Sequence, residues 1–484
     1  MAWNGGEDRD SGPDGDAARR LLAGFRAELY RCLTRRADAL FEMADAVLCA
    51  PGRVTDLARL SLVPESGRGH GALYDGLNAG EADVARLRFA VGCLPFPRWP
   101  DGRIRLAADV SGWLRPEAAC SPERMFCHVH GRGKNAGQRI PGWPYSFVAV
   151  LGPGASSWTV LLDAVRIGPY DDETDVTAAQ LREVMRRLAA AGQHKDGDPA
   201  VIIVMDAGYD VTRLAYLLAD LPVVVCARLR SSRVFYAPAP PRDPSVPGRV
   251  PRHTGAAVKC SAKTGEDGAA LALDADTASC GPARVTAWHR MHSKLTRAKG
   301  GWSGHPPGEE LPVIEGTLIR LAPRGTARDP MWLWASVPAA GPQEVTRLWQ
   351  AYLRRFDIEH TFRFLKQQLG WTRPLLRDPA AADRWTWLII AAYGQLYLAR
   401  PLAAAIRLPW QPPLPAGKMT PARVRAGFRS VRQAAGSPVN APKPAKPGPG
   451  RPKGSKNKTK APRQTVGKRN RKRPKPAKKT KQTG

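Results

Sequence analysis

Apolar residues near the start of the chain recur with the period of an α-helix. They follow one another at spacings close to three and four positions, at Leu21, Leu22, Phe25, Leu29, Leu33, Leu40 and Phe41. This spacing gives a helix one apolar face. We predict a helical domain over residues 17–95, preceded by disordered residues 1–16.

The pattern changes after residue 100 to short apolar runs that alternate with helical stretches. Strand-like runs occupy residues 103–109, 146–151, 158–167, 201–206 and 223–229, with helical patterns at 175–191 and 210–221. The run at 201–206 is almost continuously apolar, as expected of a strand buried on both faces. The order predicts an α/β fold with a mixed sheet.

Residues 230–340 lack the helical period. Prolines stand at 238, 240, 241, 244, 247 and 251, and short β-like runs follow at 283–288, 311–321 and 331–335. We predict a β-rich insertion over 230–340. Helical spacing returns at 343–369 and 380–405, so the core is assigned to 100–229 and 341–405, with a linker or helical segment at 406–441.

Positive charge is concentrated at the end of the chain. The net charge is +31, and 25 of the 74 Lys and Arg residues follow Asp383, which is the last of the 43 acidic residues. A nearly neutral body with a cationic end indicates a polyanionic partner, with nucleic acid the first candidate and an anionic membrane surface the alternative. Residues 442–484 are rich in Pro, Lys and Gly and contain no aromatic residue, which predicts disorder.

This tail contains a Gly-Arg-Pro sequence within Pro-Gly-Arg-Pro-Lys, at residues 449–453. It resembles an AT-hook, in which Arg enters the narrow minor groove of A·T-rich DNA. Arg451 and Lys453 would then contact DNA. The alternative is a basic tail that binds any phosphate backbone, and the residues do not decide between the two.

The remaining composition bears on the compartment. Hydrophobic residues make up 43% of the chain, which excludes a wholly disordered protein. No apolar run reaches the length of a membrane span, and the acidic N-terminus is unlike a signal peptide. Eight scattered cysteines without a CxxC pair suit a reducing compartment. We expect a cytoplasmic, nucleoid-associated protein with no membrane contact.

Two acidic residues stand at the ends of apolar runs. Asp109 ends the run that precedes Ser111 and Gly112, and Asp206 ends the run at 201–206. Carboxylates at strand ends lie at the rim of a sheet, where α/β proteins bind substrates. For either residue alone, capping or turn formation is the more ordinary role.

A late helix carries four polar residues at helical spacing. Tyr352, Arg355, Glu359 and Lys366 follow one another at intervals of three, four and seven positions, so they share one face. A solvated face with an Arg–Glu pair is the common explanation for such spacing. The joint pattern Y-x2-R-x3-E-x6-K is more specific than any of its members.

Residues 352–366 resemble the Y-R-E-K signature of DDE-type bacterial insertion-sequence transposases, and Asp206-Ala-Gly-Tyr209 resembles the Asp-x-Gly-Tyr/Phe motif of that family. The resemblance covers about residues 100–400. It implies a ribonuclease H-like catalytic core with a β-rich insertion between the second and third acids. The implied catalytic and metal-binding acids are Asp109, Asp206 and Glu359, with Asp163 an alternative for the first.

The resemblance also implies a mechanism. Three carboxylates would hold two Mg²⁺ or Mn²⁺ ions, which suit hard oxygen ligands and support in-line displacement at phosphorus. Tyr352, Arg355 and Lys366 would contact DNA phosphates. The implied activity is cut-and-paste transposition, with double-stranded DNA at terminal inverted repeats and target sites as partner and a homodimer in the synaptic complex.

The sequence leaves other interpretations open. We expect the helices at 17–95 to be a DNA-binding domain, and the alternative is a cap on the core. The chain is an active transposase, a transposase-derived protein that only binds DNA, or a ribonuclease H-like nuclease. Cys120, Cys127, His128 and His130 have zinc-ligand chemistry but no standard zinc spacing. Trp302, Trp332 and Trp334 are candidates for stacking on a base, although Trp in a β-rich segment is usually packed.

Overall fold

The computed structural model describes residues 13–129, 137–154, 156–241, 254–261, 265–277, 281–294, 302, 305, 308–404, 406, 410, 419–439, 454 and 460–467. Helices and strands are numbered below in chain order. Within the described residues, no helix is long and apolar enough to cross a membrane.

The N-terminal region is helical, as predicted. Its helices are α1 (Pro13–Cys32), α2 (Ala37–Cys49), α3 (Leu57–Leu60), α4 (His70–Ala79) and α5 (Val84–Gly92). A short antiparallel ladder of β1 (Leu33–Arg35) and β2 (Glu81–Ala82) joins them. Helix α1 begins at Pro13, inside the segment predicted to be disordered. Asp16 in its first turns forms a 2.7 Å ion pair with Arg19, an arrangement that suits a helix start.

The helical region does not stand apart from the rest of the chain. It packs against α10 (Pro379–Ala399) and α11 (Pro421–Ala435). Buried Arg26 of α1 donates to Asp45 of α2 at 2.7 Å, to Gln395 of α10 at 2.6 Å and to the carbonyl of Gly436 at 3.0 Å. These helices thus form the packed cap that the sequence left as an alternative, and DNA binding by them stays a prediction.

Helix α11 lies in the predicted 406–441 segment and is held by a buried arginine. Arg425 donates to the carbonyls of Val47, Ala50 and Gly52, at the end of α2 and just after it, at 2.6–3.1 Å. A guanidinium at a helix C-terminus satisfies carbonyls that have no partner within the helix. The first and the last helices of the described chain are therefore tied together in one helical bundle.

The centre of the molecule is a mixed sheet, which confirms the predicted α/β class. Its core strands are β3 (Arg105–Leu114), β4 (Met125–Val129), β5 (Gln138–Leu151), β6 (Thr159–Arg166), β7 (Val201–Met205) and β8 (Val223–Arg228), with α6 (Glu173–Ala190) and α7 (Val211–Leu217) between the later ones. β3, β7 and β8 are parallel neighbours, whereas β4, β5 and β6 pair antiparallel.

The first core strand is longer than predicted. Residues Ser111 and Gly112 do not form a turn, and β3 continues to Leu114. A Cβ on Gly112 would lie 3.2 Å from the Cβ of Cys127, so glycine allows β3 and β4 to approach closely. Buried Trp113 pairs with Trp143 of β5 at 5.9 Å between ring centroids, which keeps the extended backbone in the sheet. Asp109 consequently lies within β3, and not at its end.

The insertion strands extend the same sheet. They are β9 (Val234–Tyr236), β10 (Ala257–Lys259), β11 (Leu271–Thr277), β12 (Gly281–Ser293), β13 (Gly316–Pro323) and β14 (Met331–Ala335). β14 pairs antiparallel with β8, with Leu333 opposite Arg228. Within the described residues, twelve strands form one continuous sheet in the order β10-β9-β12-β13-β14-β8-β7-β3-β5-β4, with β11 beside β12 and β6 beside β5.

The late helical stretch is interrupted at one residue. It consists of α8 (Pro342–Arg354) and α9 (Phe356–Gln367), with Arg355 between them. The backbone of Arg355 stays helical, but its amide bonds to Tyr352 three residues back, which tightens the turn.

An aromatic cluster fixes α9 against the sheet. Trp371, which follows α9, packs on Trp113, Tyr145 and Phe147, and Phe147 also contacts Phe362 of α9. The ring centroids of these pairs are 5.1–6.2 Å apart. Contacts of this kind bury large areas and have defined geometry. They fix the position of α9 relative to β3 and β5.

Part of the C-terminal tail is attached to the core. Residues 460–467 run beside residues 119–125, where Gln464 donates to the carbonyl of Ala119 at 2.9 Å and Gly467 donates to that of Arg124 at 2.7 Å. The Cys120 thiol donates to the carbonyl of Ala461 at 3.3 Å. The predicted disorder of 442–484 does not hold for these eight residues, because backbone hydrogen bonds to the core replace the apolar contacts that the tail lacks.

Candidate active site

Asp109 and Asp206 lie on neighbouring parallel strands. Ala108 of β3 pairs in register with Met205 of β7, and the next residue along each strand is the acid. Asp206 follows β7 directly, as the sequence predicted, whereas Asp109 is in mid-strand. The parallel register brings both carboxylates to the same level of the sheet.

Glu359 comes from the first turn of α9. Its side chain is 39% exposed, compared with 19% for that of Asp109, so the site opens to solvent on the side of the helix. The aromatic cluster around Trp371 holds α9 over β3, and this places Glu359 near the two sheet carboxylates. The three candidate acids thus come from β3, the end of β7 and α9, and the charges of Asp206 and Glu359 both act on Asp109.

Arg355 connects two of these acids. Its guanidinium donates to Oδ2 of Asp109 at 2.8 Å and to Oε1 of Glu359 at 2.7 Å. The Arg355 side chain is only 10% exposed. Charge-assisted bonds of this length are the stronger kind of protein hydrogen bond. Arg355 thus supplies a positive charge inside the acidic site.

The environment of Asp109 disfavours its ionised form. Burial raises the pKa of Asp109 from 3.8 to about 6. The charge of Arg355 and the amide of Val110 oppose this shift, and the charges of Asp206 and Glu359 add to it. A raised carboxyl pKa in a polar cleft is a property of functional sites. The Arg355 charge alone does not offset burial and the two neighbouring acids.

Tyr352 and Lys366 border the site. Tyr352 is 6% exposed, and burial raises its pKa to about 12. Its ring centre is 5.9 Å from the Arg355 guanidinium. Burial lowers the pKa of Lys366, whose Nζ lies 5.5 Å from the ring centre of Trp371 and feels the charge of Asp109. The sequence placed these residues on one helix face, and the structure places them on α8 and α9 beside the acids.

Arg228 is a residue of the candidate site that the sequence did not indicate. It ends β8, and because Ala227 pairs with Met205, Arg228 comes beside Asp206 in the parallel register. Arg228 is exposed and its charge acts on Tyr352. A small cleft next to Asp206 is lined by Arg228, Arg230, Arg233, Tyr209 and Ser293, among others. The available signal was a charged residue directly after an apolar strand, the same signal that identified Asp206.

Tyr209 of the Asp-Ala-Gly-Tyr sequence also lies at the site. Burial raises its pKa well above the usual value, and the charges of Asp109 and Glu173 add to the increase. The tyrosine therefore stays a neutral phenol beside Asp109. This proximity gives the motif a structural reason for an aromatic residue three positions after the second acid.

Asp163 does not lie with the other acids. It stands within β6, is 1% exposed, and pairs with Arg88 at 3.0 Å and with Arg187 at 2.7 Å. These ion pairs join β6 to α5 and α6. The geometry favours Asp109 over Asp163 as the first member of the acidic cluster.

The cysteine and histidine group is not assembled as a zinc site in the part of the chain that the structure describes. Cys127 and His128 are successive residues of β4, so their side chains point to opposite faces. Cys120 bonds to the tail at Ala461. His130 lies outside the described residues, as do Arg451 and Lys453 of the AT-hook-like sequence.

The candidate base-stacking tryptophans are packed. Trp302 contacts Tyr216 of α7 at 5.2 Å, Trp332 stacks on Trp288 at 5.4 Å, and Trp334 donates to the carbonyl of Met291 at 2.8 Å. All three tryptophans are less than 10% exposed. Their surroundings match the ordinary packed role.

The donor chemistry of the site fits a hard divalent cation, but the ligands are not closed around one. Three carboxylates from β3, β7 and α9 are the oxygen ligands that Mg²⁺ and Mn²⁺ prefer. Among the described residues, no three His, Cys, Asp or Glu side chains are close enough together to hold a metal ion. Arg355 stands between Asp109 and Glu359 and provides part of the positive charge that a cation would supply.

The chain was compared with models of protein families. A family model described as "DDE superfamily endonuclease" matches residues 28–294. The match spans more than half of the 484 residues and includes Asp109 and Asp206, whereas Glu359 and the rest of residues 352–366 follow its end. A search of curated proteins finds no match to the chain.

Proposed function

The chain belongs to the DDE superfamily of endonucleases, and from this we propose that it is a DNA transposase that excises and inserts an insertion sequence. Endonucleases of this superfamily act on DNA and generally use divalent metal ions. The finer proposal is cut-and-paste transposition, with cleavage at terminal inverted repeats followed by strand transfer to target DNA.

One observation carries the proposal. Asp109 and Asp206 stand side by side on parallel strands, and Arg355 links Asp109 to Glu359 on α9. In the proposed site these three acids would hold two Mg²⁺ or Mn²⁺ ions. Bound there, the ions would supply the Lewis acidity and nucleophile activation that in-line displacement at phosphorus needs.

The basic residues around the acids have a separate role in this proposal. Arg355, Lys366 and Tyr352 orient the phosphate to be cut, and exposed Arg228 adds a positive charge beside Asp206. Arg offers two parallel hydrogen bonds to a phosphate, while Lys acts as a point charge. The packed aromatic cluster keeps α9 in place, so Lys366 is positioned before DNA arrives.

The tail is proposed to add affinity for DNA. Residues 468–484 carry nine Lys and Arg residues, and Arg451 and Lys453 lie in the AT-hook-like sequence. Removing residues 468–484 should weaken binding and reduce its dependence on salt, since phosphate contacts release counterions. An unchanged slope of log affinity against log salt concentration would exclude this role. A peptide of residues 442–459 that prefers A·T-rich over G·C-rich duplex would support the AT-hook.

The proposal is tested with DNA that carries the segments flanking the coding sequence of this protein. The full chain is incubated with Mg²⁺, Mn²⁺ or EDTA, the cut positions are mapped, and a supercoiled plasmid is added as a target. We expect metal-dependent cuts at the boundaries of an inverted repeat and joined products in the plasmid. A homodimer on paired ends should appear as a complex that contains two DNA ends.

A second candidate is an endonuclease that cuts without strand transfer. Tyr352 and Arg355 are buried, and Arg355 is hydrogen-bonded to Asp109, so these side chains are not free to contact a DNA backbone. This observation favours the second candidate. Metal-dependent cuts without preference for element ends and without joined products would support it over the transposase. DNA binding without any cut would contradict both and favour a transposase-derived binding protein.

A further inference from the structure

Arg355 is hydrogen-bonded through both of its terminal nitrogens. Its two terminal nitrogens are directed to carboxylates that come from different elements, Asp109 of β3 and Glu359 of α9. Asp206 lies close enough for its charge to act on Arg355 as well. One buried guanidinium therefore donates hydrogen bonds to two acids of the proposed catalytic site and interacts electrostatically with the third.

A guanidinium in this position and a divalent cation compete for the same oxygens. Oδ2 of Asp109 and Oε1 of Glu359 accept hydrogen bonds at 2.8 and 2.7 Å. A cation that used these oxygens would come within a few ångströms of the Arg355 charge, where like charges repel strongly in a partly buried site. Arg355 must leave at least one carboxylate before the acids can close around a metal ion.

A DNA phosphate gives Arg355 an alternative partner of the same geometry. The planar fork of arginine matches carboxylate and phosphate oxygens equally well. Exposed Arg228 lies beside Asp206, and Lys366 interacts electrostatically with Asp109. The surroundings of Arg355 therefore hold further positive charges that attract a phosphate. The exchange keeps the guanidinium hydrogen-bonded while it frees two carboxylate oxygens.

We infer that Arg355 is an exchangeable counter-ion that blocks metal binding by Asp109 and Glu359 until a DNA phosphate takes over its hydrogen bonds. This inference rests on the proposed function. It makes Arg355 a positioning residue that couples DNA binding to metal binding. By thermodynamic linkage, DNA should raise the affinity for the metal ion by the same factor as the metal ion raises the affinity for DNA.

The test is a Mn²⁺ titration of the full chain, followed by the electron paramagnetic resonance of free Mn²⁺, with and without a duplex of the flanking DNA. A titration of the DNA alone is subtracted. Without DNA, Arg355→Gln should bind Mn²⁺ roughly 10-fold tighter or more than the unmodified protein. DNA should tighten Mn²⁺ binding by the unmodified protein to a similar degree and should leave Arg355→Gln nearly unaffected.

Arg213→Gln is a matched control. Arg213 also bridges two carboxylates, Asp172 at 2.8 Å and Asp175 at 2.6 Å, and its side chain is 13% exposed compared with 10% for Arg355. This variant should bind Mn²⁺ like the unmodified protein. An equal gain in Arg213→Gln would mean that freeing any carboxylate pair suffices, and would overturn the inference.

The outcomes separate this inference from the proposed function. Unchanged or weaker Mn²⁺ binding by folded Arg355→Gln would overturn the counter-ion role even if the unmodified protein cleaves DNA. Tighter Mn²⁺ binding in a protein that never cleaves DNA would support the counter-ion role and contradict the nuclease. If Arg355→Gln does not fold, Arg355→Lys is used, because it keeps the charge and cannot bridge both acids. Arg355→Lys should bind Mn²⁺ more tightly than the unmodified protein, by a smaller factor than the one expected for Arg355→Gln. No gain in Mn²⁺ affinity would overturn the inference.

Discussion

Arg355 donates a 2.8 Å hydrogen bond to Asp109, although the two residues are 246 positions apart in the chain. The bond joins the turn between α8 and α9 to the middle of β3. It brings α9 and Asp109 into one site. The family match over residues 28–294 includes Asp109 but ends before α9.

The pKa of Asp109 leads to a prediction about stability. Its folded pKa is raised from 3.8 to about 6, so the native protein holds this proton more tightly than the unfolded chain does. Asp109 therefore stabilises the fold below about pH 4, and this contribution is lost as the pH rises to about 6. The loss amounts to about 3 kcal/mol for a shift of this size.

We expect Asp109→Asn to remove this component, because the amide resembles the protonated acid. Urea unfolding in EDTA between pH 4 and pH 7, without DNA, measures it. The difference in unfolding free energy between Asp109→Asn and the unmodified protein should rise in favour of the variant as the pH increases. Parallel pH profiles for the two proteins would contradict the assigned environment of Asp109.

We expect Asp163 to contribute to the stability of the fold and not to DNA cleavage. Its carboxylate pairs with Arg88 and Arg187 in the protein interior, so Asp163→Asn leaves buried positive charge without compensation. Such a loss costs roughly 3–5 kcal/mol. Urea unfolding should show this decrease, while DNA cleavage per folded molecule stays within a few-fold of normal at low temperature. Normal stability with abolished cleavage would instead place Asp163 in the active site.

The attached tail segment can be released by one substitution. A Cβ on Gly467 would lie 2.3 Å from the Cβ of Pro169, so Gly467→Val should displace residues 460–467 from the core. Release removes the hydrogen bond between the Cys120 thiol and Ala461. Alkylation of Cys120, measured by mass spectrometry, should become several-fold faster. Exposed Cys93 in the same protein serves as the reference, and an unchanged ratio of the two rates would contradict the attachment.

The sequence predicted the parts of the site that depend on local pattern. Asp206 follows a continuous apolar strand, and Glu359 falls at helical spacing from Arg355, so both could be located without a structure. Asp109 was named as a candidate, but its predicted place at a strand end was wrong. Ser111 and Gly112 look like a turn, whereas their pairing with β5 and the contact of Trp113 with Trp143 keep them in the strand.

The features that escaped prediction depend on contacts between distant segments. β4 was missed because Cys127 and His128 in a five-residue strand suggest a loop, and pairing with β5 decides otherwise. The pairing of β14 with β8, which makes the insertion part of the core sheet, is equally invisible in local periodicity. The attachment of residues 460–467 rests on backbone hydrogen bonds, which composition does not encode.

The central claim is that Asp109, Asp206 and Glu359 form a metal-dependent DNA cleavage site, and Glu359→Gln tests it most directly. Glu183→Gln is the matched control, because Glu183 is also a helical glutamate that pairs with an arginine one turn away, at 3.0 Å from Arg186 in α6. Both variants are compared with the unmodified protein on the flanking DNA, in Mg²⁺, Mn²⁺ and EDTA.

Glu359→Gln should lose cleavage by roughly 100-fold or more, equivalent to about 3 kcal/mol of transition-state stabilisation, while it keeps its DNA affinity. Glu183→Gln should cleave like the unmodified protein, and EDTA should stop both. Cleavage by Glu359→Gln at the rate of the unmodified protein would contradict the account and remove Glu359 from the site.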